Sequence, residues 1–268
     1  MGYVTIVVSE TGTSEAHHEG WVRKITLNRP ARRNAMNRQM QEELIAALED
    51  AATSKCRVVV IAGAGETFCS GLDLSALQAV AQQTPQEHRA DAEMVARLFR
   101  AIYEMPKPTI AAVQGAAIAG GTGLATICDF TVAVPAAKFG YTEARIGFVP
   151  ALVSAFLTLR IGEKRARGLL LSGRLFDAEE AYRMGLVDEV VDPAELTSRV
   201  SALAELLAAN SPESLAATKR LLAAQNKGWL DQAIAHSIDA SVEARATADF
   251  REGVATFLEK RRPVWDRR

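Results

Sequence analysis

The segment Ile118-Ala119-Gly120-Gly121-Thr122-Gly123-Leu124 decides how we expect this chain to fold. It lies between two apolar runs, residues 109–113 and 129–134, that are typical of buried strands. Glycines let the backbone approach a ligand closely, and the first turn of a following helix offers unpaired N–H groups and a positive dipole end. The turn therefore either binds an oxygen on which negative charge develops or lets a strand and a helix pack tightly.

The composition indicates one large globular domain, or a domain with a short appendage. The chain has 268 residues, of which 49% are hydrophobic and 24% are charged, and its net charge is −1. This balance gives no field that would attract nucleic acid, and no apolar run approaches the ~20 residues needed to span a bilayer. We therefore expect neither a nucleic-acid partner nor a membrane anchor.

The cysteines and histidines argue against a disulfide scaffold and a metal site. Cys56, Cys69 and Cys128 have no paired spacing, which favours a reducing compartment. The four histidines form no cluster with metal-ligand spacing. The first residues have the pattern of a strand and lack the basic leader of a secretory signal. We expect a cytoplasmic protein without a metal ion.

The hydrophobic pattern alternates between strands and helices up to about residue 192. Strands are expected at residues 3–8, 21–27, 57–62, 109–113 and 129–134, and helices at 37–52 and 86–103. Such alternation predicts parallel strands joined by crossovers. After a last extended stretch at 186–191, the pattern becomes almost entirely helical. We therefore expect an α/β core over residues 1–192 and a helical oligomerisation region over residues 193–268.

A second glycine-containing loop has the same position relative to a strand as the first. Residues 63–74 follow the strand expected at 57–62, and they contain Ser70-Gly71 directly before Leu72-Asp73. In a right-handed series of parallel strands, the loops at the carboxyl ends meet at one edge of the sheet. Each loop could direct one backbone N–H at a shared point, and two such donors form an oxyanion hole. The alternative is a pair of ordinary tight turns.

Together these motifs resemble the crotonase superfamily, specifically its enoyl-CoA hydratases and isomerases. The matching residues occur in order and at family spacing over nearly the whole chain: Leu27-Asn28-Arg29-Pro30, Asn34-Ala35-Met36-Asn37, residues 68–74, Pro106-Lys107-Pro108, Ala119-Gly120-Gly121, Cys128-Asp129, Lys138-Phe139-Gly140, Gly185-Leu186-Val187-Asp188 and residues 257–261. The resemblance implies an α/β crotonase-like spiral of ββα repeats with a C-terminal helical trimerisation region. It also implies an acyl-CoA thioester substrate, no cofactor besides the coenzyme A of that substrate, and a homotrimer or hexamer.

The resemblance further implies which residues meet the substrate. The backbone N–H groups of Leu72 and Gly120 correspond to the oxyanion hole, where they would stabilise an enolate formed from the thioester. The other residues expected to contact the substrate are Arg33, Ala35, Ser70, Gly71, Asp73, Gly121, Tyr141, Phe257 and Lys260. Arg33 and Lys260, the latter from a neighbouring subunit, are candidates for CoA phosphates, and Phe257 for the pantetheine arm. Surface solvation is the alternative for the two cations.

The acid/base residues distinguish the possible reactions. Typical hydratases of this family have two glutamates; the second corresponds to Glu143, whereas Gly123 occupies the position of the first. A single carboxylate can take a proton from one atom and return it to another. This arrangement resembles isomerases that move a β,γ double bond to the α,β position, and also bacterial hydratases similar to methylglutaconyl-CoA hydratase. Residues 145–154 are closer to the second group. We therefore expect hydration of a 2-enoyl-CoA, with Δ3,Δ2-isomerisation and acyl-CoA hydrolysis as alternatives.

Other functional interpretations of these residues fit less well. A dinucleotide-binding oxidoreductase would need a G-x-G-x-x-G turn with an acidic residue ~20 positions later, which neither glycine turn provides. A nucleophile at Cys69 or Ser70 would need a base within reach, and the pattern places no histidine near them. The alternative for Asp73 is to cap a helix that begins at Leu72, and the alternative for Tyr141 is packing in the core.

Overall fold

The structure is a computed structural model that describes residues 2–12, 21–73 and 83–265. Within these ranges the strands are β1 (Ile6–Thr11), β2 (Val22–Leu27), β3 (Val58–Gly63), β4 (Thr67–Cys69), β5 (Thr109–Val113), β6 (Ala116–Ile118), β7 (Phe130–Ala133), β8 (Lys138–Gly140), β9 (Leu175–Asp177) and β10 (Glu189–Val190). The helices are α1 (Arg38–Thr53), α2 (Pro85–Tyr103), α3 (Gly120–Ile127), α4 (Ala151–Ser172), α5 (Ala178–Met184), α6 (Leu196–Ala208), α7 (Pro212–Arg245) and α8 (Ala248–Glu259), with short 3-10 helices at Pro30–Arg32 and Glu143–Ile146. The turn expected between the first two strands and the helix expected to begin at Leu72 extend outside the described ranges.

The strands form two sheets, and the chain alternates between them. The larger sheet has the order β1-β2-β3-β5-β7-β10, and the smaller has the order β4-β6-β8-β9. All neighbouring strands run parallel except the pairs β1–β2 and β8–β9. Each of the successive pairs β3–β4, β5–β6 and β7–β8 adds one strand to each sheet. The predicted α/β spiral of ββα repeats is therefore confirmed.

Burial on both faces explains the composition of the central strands. All of β5 is buried, and β3 is buried up to its last residue, so both are continuous apolar runs without alternation. Their register places Ile61 of β3 between Ile25 of β2 and Ala111 of β5. Because these strands are parallel and in register, the loops that follow β3 and β5 leave the sheet at the same edge.

The smaller sheet was missed in the sequence analysis. Each of its strands has three residues, which is too short to show a period in hydrophobicity. β9 lies beyond residue 150, where only the stretch at 186–191 was expected to be extended, and that stretch is a strand only at Glu189–Val190. Strands of this length are held by pairing with distant segments, as β9 is by β8.

Side-chain caps fix where the first two long helices begin. The Asn37 side chain accepts a hydrogen bond of 3.0 Å from the backbone N–H of Met40 at the start of α1. Thr84 and Glu87 form a capping box at the start of α2. Both helices therefore begin within one residue of the expected positions, 37 and 86. No helix within the described ranges has the length and apolar character that a membrane crossing requires.

The C-terminal helices pack closely on the spiral. α6 lies against the larger sheet, and its Leu203 and Leu207 belong to the main hydrophobic core. α7 has 34 residues and packs along α2 and α4. α8 contacts the 3-10 helix at Glu143–Ile146, where a Cβ on Gly253 would lie 2.1 Å from the carbonyl oxygen of Ile146. The division at residue 192 stays a prediction, and α6 on its far side completes the same core as the strands.

Candidate active site

The two glycine-containing loops meet at one edge of the spiral. After β4 ends, the chain passes through Gly71, which has a φ of +89°. A Cβ on Gly71 would lie 2.9 Å from the carbonyl oxygen of Ile118 and 3.5 Å from the backbone nitrogen of Gly120. The loops therefore approach each other backbone to backbone, which glycine permits at position 71. This is the convergence that the parallel topology led us to expect.

A strained turn presents the start of α3 at this meeting point. Gly120 is the first residue of α3, so its N–H has no acceptor within the helix. Ala119 before it has φ 53° and ψ −122°, a conformation that residues with a side chain rarely adopt. The N–H of Ala119 donates to the carbonyl oxygen of Gly140 at 2.6 Å, which holds the turn against β8. The positive end of the helix dipole adds to the attraction for negative charge.

Leu72 is placed to supply the second donor. It forms an isolated parallel bridge with Met36, in which Met36 N–H donates to Gly71 at 2.8 Å and Asp73 N–H donates to Met36 at 3.0 Å. In extended chain, successive N–H groups point to opposite sides, so the N–H of Leu72 points away from Met36. Leu72 and Gly120 line the same cavity, an arrangement that suits an oxyanion hole.

The cavity beside these loops has a volume of about 530 Å³. Its walls come from the loops after β2 and β4, from α2, from the start of α3, from residues 142–153, and from α7 and α8. Most of the lining is apolar, and among the described residues the charged or hydroxyl-bearing side chains in it are Arg32, Arg33, Ser70, Asp73, Thr142, Glu143, Ser241 and Arg245. Size and lining are those of a small-molecule site. In the part of the chain that the structure describes, no group of histidines, cysteines and carboxylates could hold a metal ion.

The Glu143 carboxyl group is desolvated at the wall of this cavity. Glu143 begins the 3-10 helix that follows β8. Its Oε2 atom is buried and has no hydrogen-bond partner among the described residues. Burial disfavours the charged form and raises the pKa of Glu143 to about 7. At neutral pH the group can therefore both accept and donate a proton.

The position where a second glutamate is usual is closely packed. A Cβ on Gly123 would lie 2.5 Å from Cγ1 of Val153 on α4 and 3.1 Å from Cζ of Phe99 on α2. A side chain at position 123 would therefore require the side chain of Val153, or the helix that carries it, to shift. The carboxylates that line the cavity are Glu143 and Asp73, and Asp73 already forms an ion pair with an arginine at 2.8 Å.

The structure places most of the predicted contact residues on the cavity. The predicted residues in its lining are Arg33, Ala35, Ser70, Leu72, Asp73, Gly120, Glu143 and Phe257. Gly71 lies directly behind this lining, where the two loops touch. Lys260 is exposed at the end of α8 and does not line the cavity of its own chain.

Two of the predicted contact residues pack in the interior of the protein. Tyr141 is fully buried, and its hydroxyl group lies 3.2 Å from that of Thr126, so the alternative of core packing describes its position. A Cβ on Gly121 would lie 2.1 Å from the carbonyl oxygen of Cys69, so this glycine lets α3 pack against β4. Neither residue lines the cavity.

Two polar residues of α7 line the cavity, although the sequence analysis named neither of them. Ser241 and Arg245 are buried, with exposed fractions of 1% and 8%. Together with Ser237 they recur at a spacing of four residues, which places them on one face of a helix. Polar residues on the inner face of a helix are a signal of function. Nothing in the order of residues indicates which face of α7 is the inner one.

Cys69 is not available as a nucleophile. It is fully buried, and burial raises the pKa of its thiol to about 12. The other two cysteines are also free and buried. None of the three cysteines therefore offers an accessible thiol at the cavity.

A family model, related sequences and solved structures all point to the same protein family. The sequence matches the enoyl-CoA hydratase/isomerase family over residues 17–268. A relative from Thermus thermophilus is 43% identical over 246 residues, which are 91% of this chain and 97% of the relative. A crotonyl-CoA hydratase from Syntrophomonas wolfei is 34% identical, with 88% of this chain and 91% of that protein covered. The crystal structure of an enoyl-CoA hydratase from Mycobacterium avium subsp. paratuberculosis K-10 superposes with a TM-score of 0.84 at 28% identity, covering 99% of this chain and 100% of that one.

Proposed function

The chain belongs to the enoyl-CoA hydratase/isomerase family, and we propose that it hydrates a 2-enoyl-CoA thioester with Glu143 as the acid/base group. The observation that carries this proposal is the buried Glu143 carboxyl, whose pKa is raised to about 7. It shares a cavity with Leu72 and Gly120, whose backbone N–H groups are the proposed oxyanion hole. An acid/base group and an oxyanion hole are the two devices that addition of water to an enoyl thioester needs.

The proposed reaction uses one carboxylate for both proton transfers. Ionised Glu143 accepts a proton from water while the water oxygen bonds to Cβ, and the electrons of the double bond move onto the thioester. The resulting enolate oxygen is stabilised by the N–H groups of Leu72 and Gly120, each worth ~2.7–4 kcal/mol of barrier. Protonated Glu143 then donates its proton to Cα, which completes the 3-hydroxyacyl-CoA and restores the carboxylate.

The packing around Gly123 supports the assignment of both proton transfers to Glu143. Val153 and Phe99 pack against Gly123, which supplies no carboxylate, so activation of water falls to Glu143 as well. The exposed Arg32 and Arg33 lie at the rim of the cavity, where they can meet the phosphates of coenzyme A. The reaction is neither a redox step nor a group transfer, and we propose that it needs no cofactor beyond the coenzyme A of the substrate.

The proposed enzyme is a homotrimer or a hexamer in the cytoplasm. The long helix α7 leaves Leu221, Leu222 and Trp229 exposed, with exposed fractions of 58%, 53% and 46%, which supports burial against a second copy of the chain. Three free cysteines support a reducing compartment.

A single carboxylate also supports a second candidate, the Δ3,Δ2-enoyl-CoA isomerase reaction. In that reaction Glu143 would remove a proton from one carbon and return it to another, with the same enolate held by the same N–H groups. Hydrolysis of an acyl-CoA is a third candidate, since it could use the same oxyanion hole. A methylglutaconyl-CoA-like substrate remains our expectation within the hydratase reaction.

Turnover of matched substrates distinguishes the three reactions. Purified protein is incubated with crotonyl-CoA and with a 3-enoyl-CoA, and products are identified by mass. We expect a 3-hydroxyacyl-CoA from crotonyl-CoA. A moved double bond as the main product would instead identify an isomerase, and release of free thiol would identify a hydrolase.

Glu143→Gln tests the role of the carboxylate. We expect kcat to fall by about 10²–10⁴-fold, while calorimetric binding of a saturated acyl-CoA changes little. Glu163→Gln is the matched control, because Glu163 lies 68% exposed on α4 and should keep wild-type turnover. A Glu143→Gln enzyme that keeps more than about a tenth of wild-type kcat would assign the proton transfers to another group.

A further inference from the structure

The cavity contains a buried arginine that the proposed reaction does not use. Arg245 is the last residue of α7, and its side chain is 6% exposed. It lines the cavity together with apolar residues of α2 and α4, among them Val95, Phe99 and Leu152. Its guanidinium lies 5.8 Å from the ring centre of Phe148. A cation thus stands in the mostly apolar wall of the cavity, where its charge is costly unless it is paired.

The neighbouring groups of the protein make only long contacts with this guanidinium. Its Nη1 donates to the carbonyl oxygen of His88 at 3.3 Å and lies 3.6 Å from Oδ2 of Asp91. These distances are long for bonds to a charged group, and Asp91 also pairs with Arg38 at 3.3 Å. Nε and Nη2 make no hydrogen bond to any residue in the described ranges. Desolvation lowers the pKa of Arg245. The attraction of Asp91 raises this pKa but does not cancel the effect of desolvation, which agrees with a positive charge that the protein compensates only in part.

A hydroxyl group one turn away is also unused. Ser241 is 1% exposed and lines the cavity, and its hydroxyl makes no hydrogen bond to another residue in the part of the chain that the structure describes. Ser237, one further turn back, differs, because its hydroxyl donates to the carbonyl oxygen of Ala151 at 2.9 Å. α7 therefore presents two polar groups with unused donors to the same part of the cavity.

We propose that Arg245 and Ser241 bind a carboxylate at the far end of the acyl chain, so that the preferred substrates are enoyl-CoA thioesters with an acidic tail. Nε and Nη2 lie on one edge of the guanidinium, and this edge matches the two oxygens of a carboxylate. Pairing with the substrate would supply the charge compensation that the protein lacks at this position. The inference rests on the proposed function for the placement of the acyl chain in this cavity.

Binding of saturated thioesters tests the inference independently of turnover. Calorimetry on the full chain compares three pairs matched in chain length: succinyl- with butanoyl-CoA, glutaryl- with pentanoyl-CoA, and adipoyl- with hexanoyl-CoA. We expect the acidic member of at least one pair to bind about tenfold to a hundredfold more tightly, as a hydrogen bond to a charged group implies. Arg245→Gln should abolish this preference, and Ser241→Ala should weaken it.

Arg100→Gln is the matched control for a purely structural role. Arg100 joins the same two helices as Arg245, because its Nη2 lies 2.7 Å from Asp231 of α7, but it does not line the cavity. This variant should keep the preference for the acidic member.

Two results would overturn the proposal. One is the absence of a preference in every pair for the wild type. The other is a preference that survives Arg245→Gln, whether or not both members lose affinity equally. If Arg245→Gln does not fold, the wild-type comparison and Ser241→Ala decide the question. Hydration of crotonyl-CoA and of a 2-enoyl-CoA with a terminal carboxylate is measured on the same preparations. The absence of hydration with both would contradict the proposed function, while the binding result still decides the role of Arg245.

Discussion

At the scale of single residues, burial of Glu143 both raises the pKa of its carboxyl group and lowers the stability of the fold at neutral pH. Its pKa is about 7 in the folded protein, against 4.5 for an exposed glutamate. Below pH 4.5 the group is protonated in both the folded and unfolded states, so burial of the charge costs nothing. Above pH 7 it is ionised in both states, and the folded state is less stable by about 3 kcal/mol. Stability is therefore lost as the pH rises between these values.

This linkage predicts how Glu143→Gln changes stability with pH. Because glutamine does not ionise, the variant should gain about 3 kcal/mol relative to wild type between pH 4 and pH 8. Urea unfolding of both proteins at the two pH values measures the difference. Glu163→Gln, at an exposed site, should show no such gain. An equal effect of Glu143→Gln at both pH values would mean that the carboxyl is not desolvated.

Only part of the residue-scale chemistry could be predicted from the sequence. Glu143 was singled out by its place in a family pattern, and its buried carboxyl and raised pKa agree with that choice. Nothing in the order of residues indicates that Oε2 would lack a partner, because its surroundings come from segments far apart in the chain. For Tyr141 the expectation and the structure differ. This residue was expected to contact the substrate, and the structure places it in the buried core.

At the scale of elements, the first turn of α3 is the feature to test. Gly120→Pro should remove turnover while leaving most of the fold intact, because proline is tolerated at the first position of a helix but has no N–H. Gly120→Ala is the matched control, since it keeps the N–H and adds only a Cβ that lies 3.2 Å from the flexible end of Met36. Steady-state kinetics are compared, with circular dichroism and oligomer size as checks on folding. Near-wild-type turnover in folded Gly120→Pro would mean that the N–H of Gly120 is not a donor in the oxyanion hole.

The contact of α3 with α4 predicts a second, energetic effect. Gly123→Ala should destabilise the protein by about 1–3 kcal/mol, because the new Cβ overlaps Val153. Val153→Ala removes the overlapping atom, so the double variant should be more stable than the sum of the single effects by about 0.5–3 kcal/mol. Chemical unfolding of the four proteins of this cycle gives the coupling. Strict additivity would mean that the two positions do not touch.

At the scale of the whole molecule, the leucines of the C-terminal helices are divided between the core and the surface. Leu203 and Leu207 of α6 are buried in the core of their own chain, 7% and 9% exposed. Leu206 is 66% exposed, and on α7 Leu221 and Leu222 are exposed as well. The exposed leucines that another copy of the chain could cover therefore lie mainly on α7.

We predict that the protein is a trimer or a dimer of trimers in solution. Burial of the exposed leucines of α7 against another copy would remove apolar surface from water. Sedimentation at micromolar concentration measures the assembly, and Leu221→Lys combined with Leu222→Lys should shift it to smaller species. A stable wild-type monomer under these conditions would contradict the prediction.

By itself, the sequence determined the long elements, the caps and the two glycine turns. These features depend on residues a few positions apart, as in the cap of α1 by Asn37 and the uninterrupted apolar run of β5. The tertiary structure alone decided that Val153 and Phe99 fill the space beside Gly123, that the Glu143 carboxyl is desolvated, and that Arg245 faces the cavity. The physical reason is that hydrophobic period and capping are local, whereas burial and electrostatics are set by segments that meet only when the chain has folded.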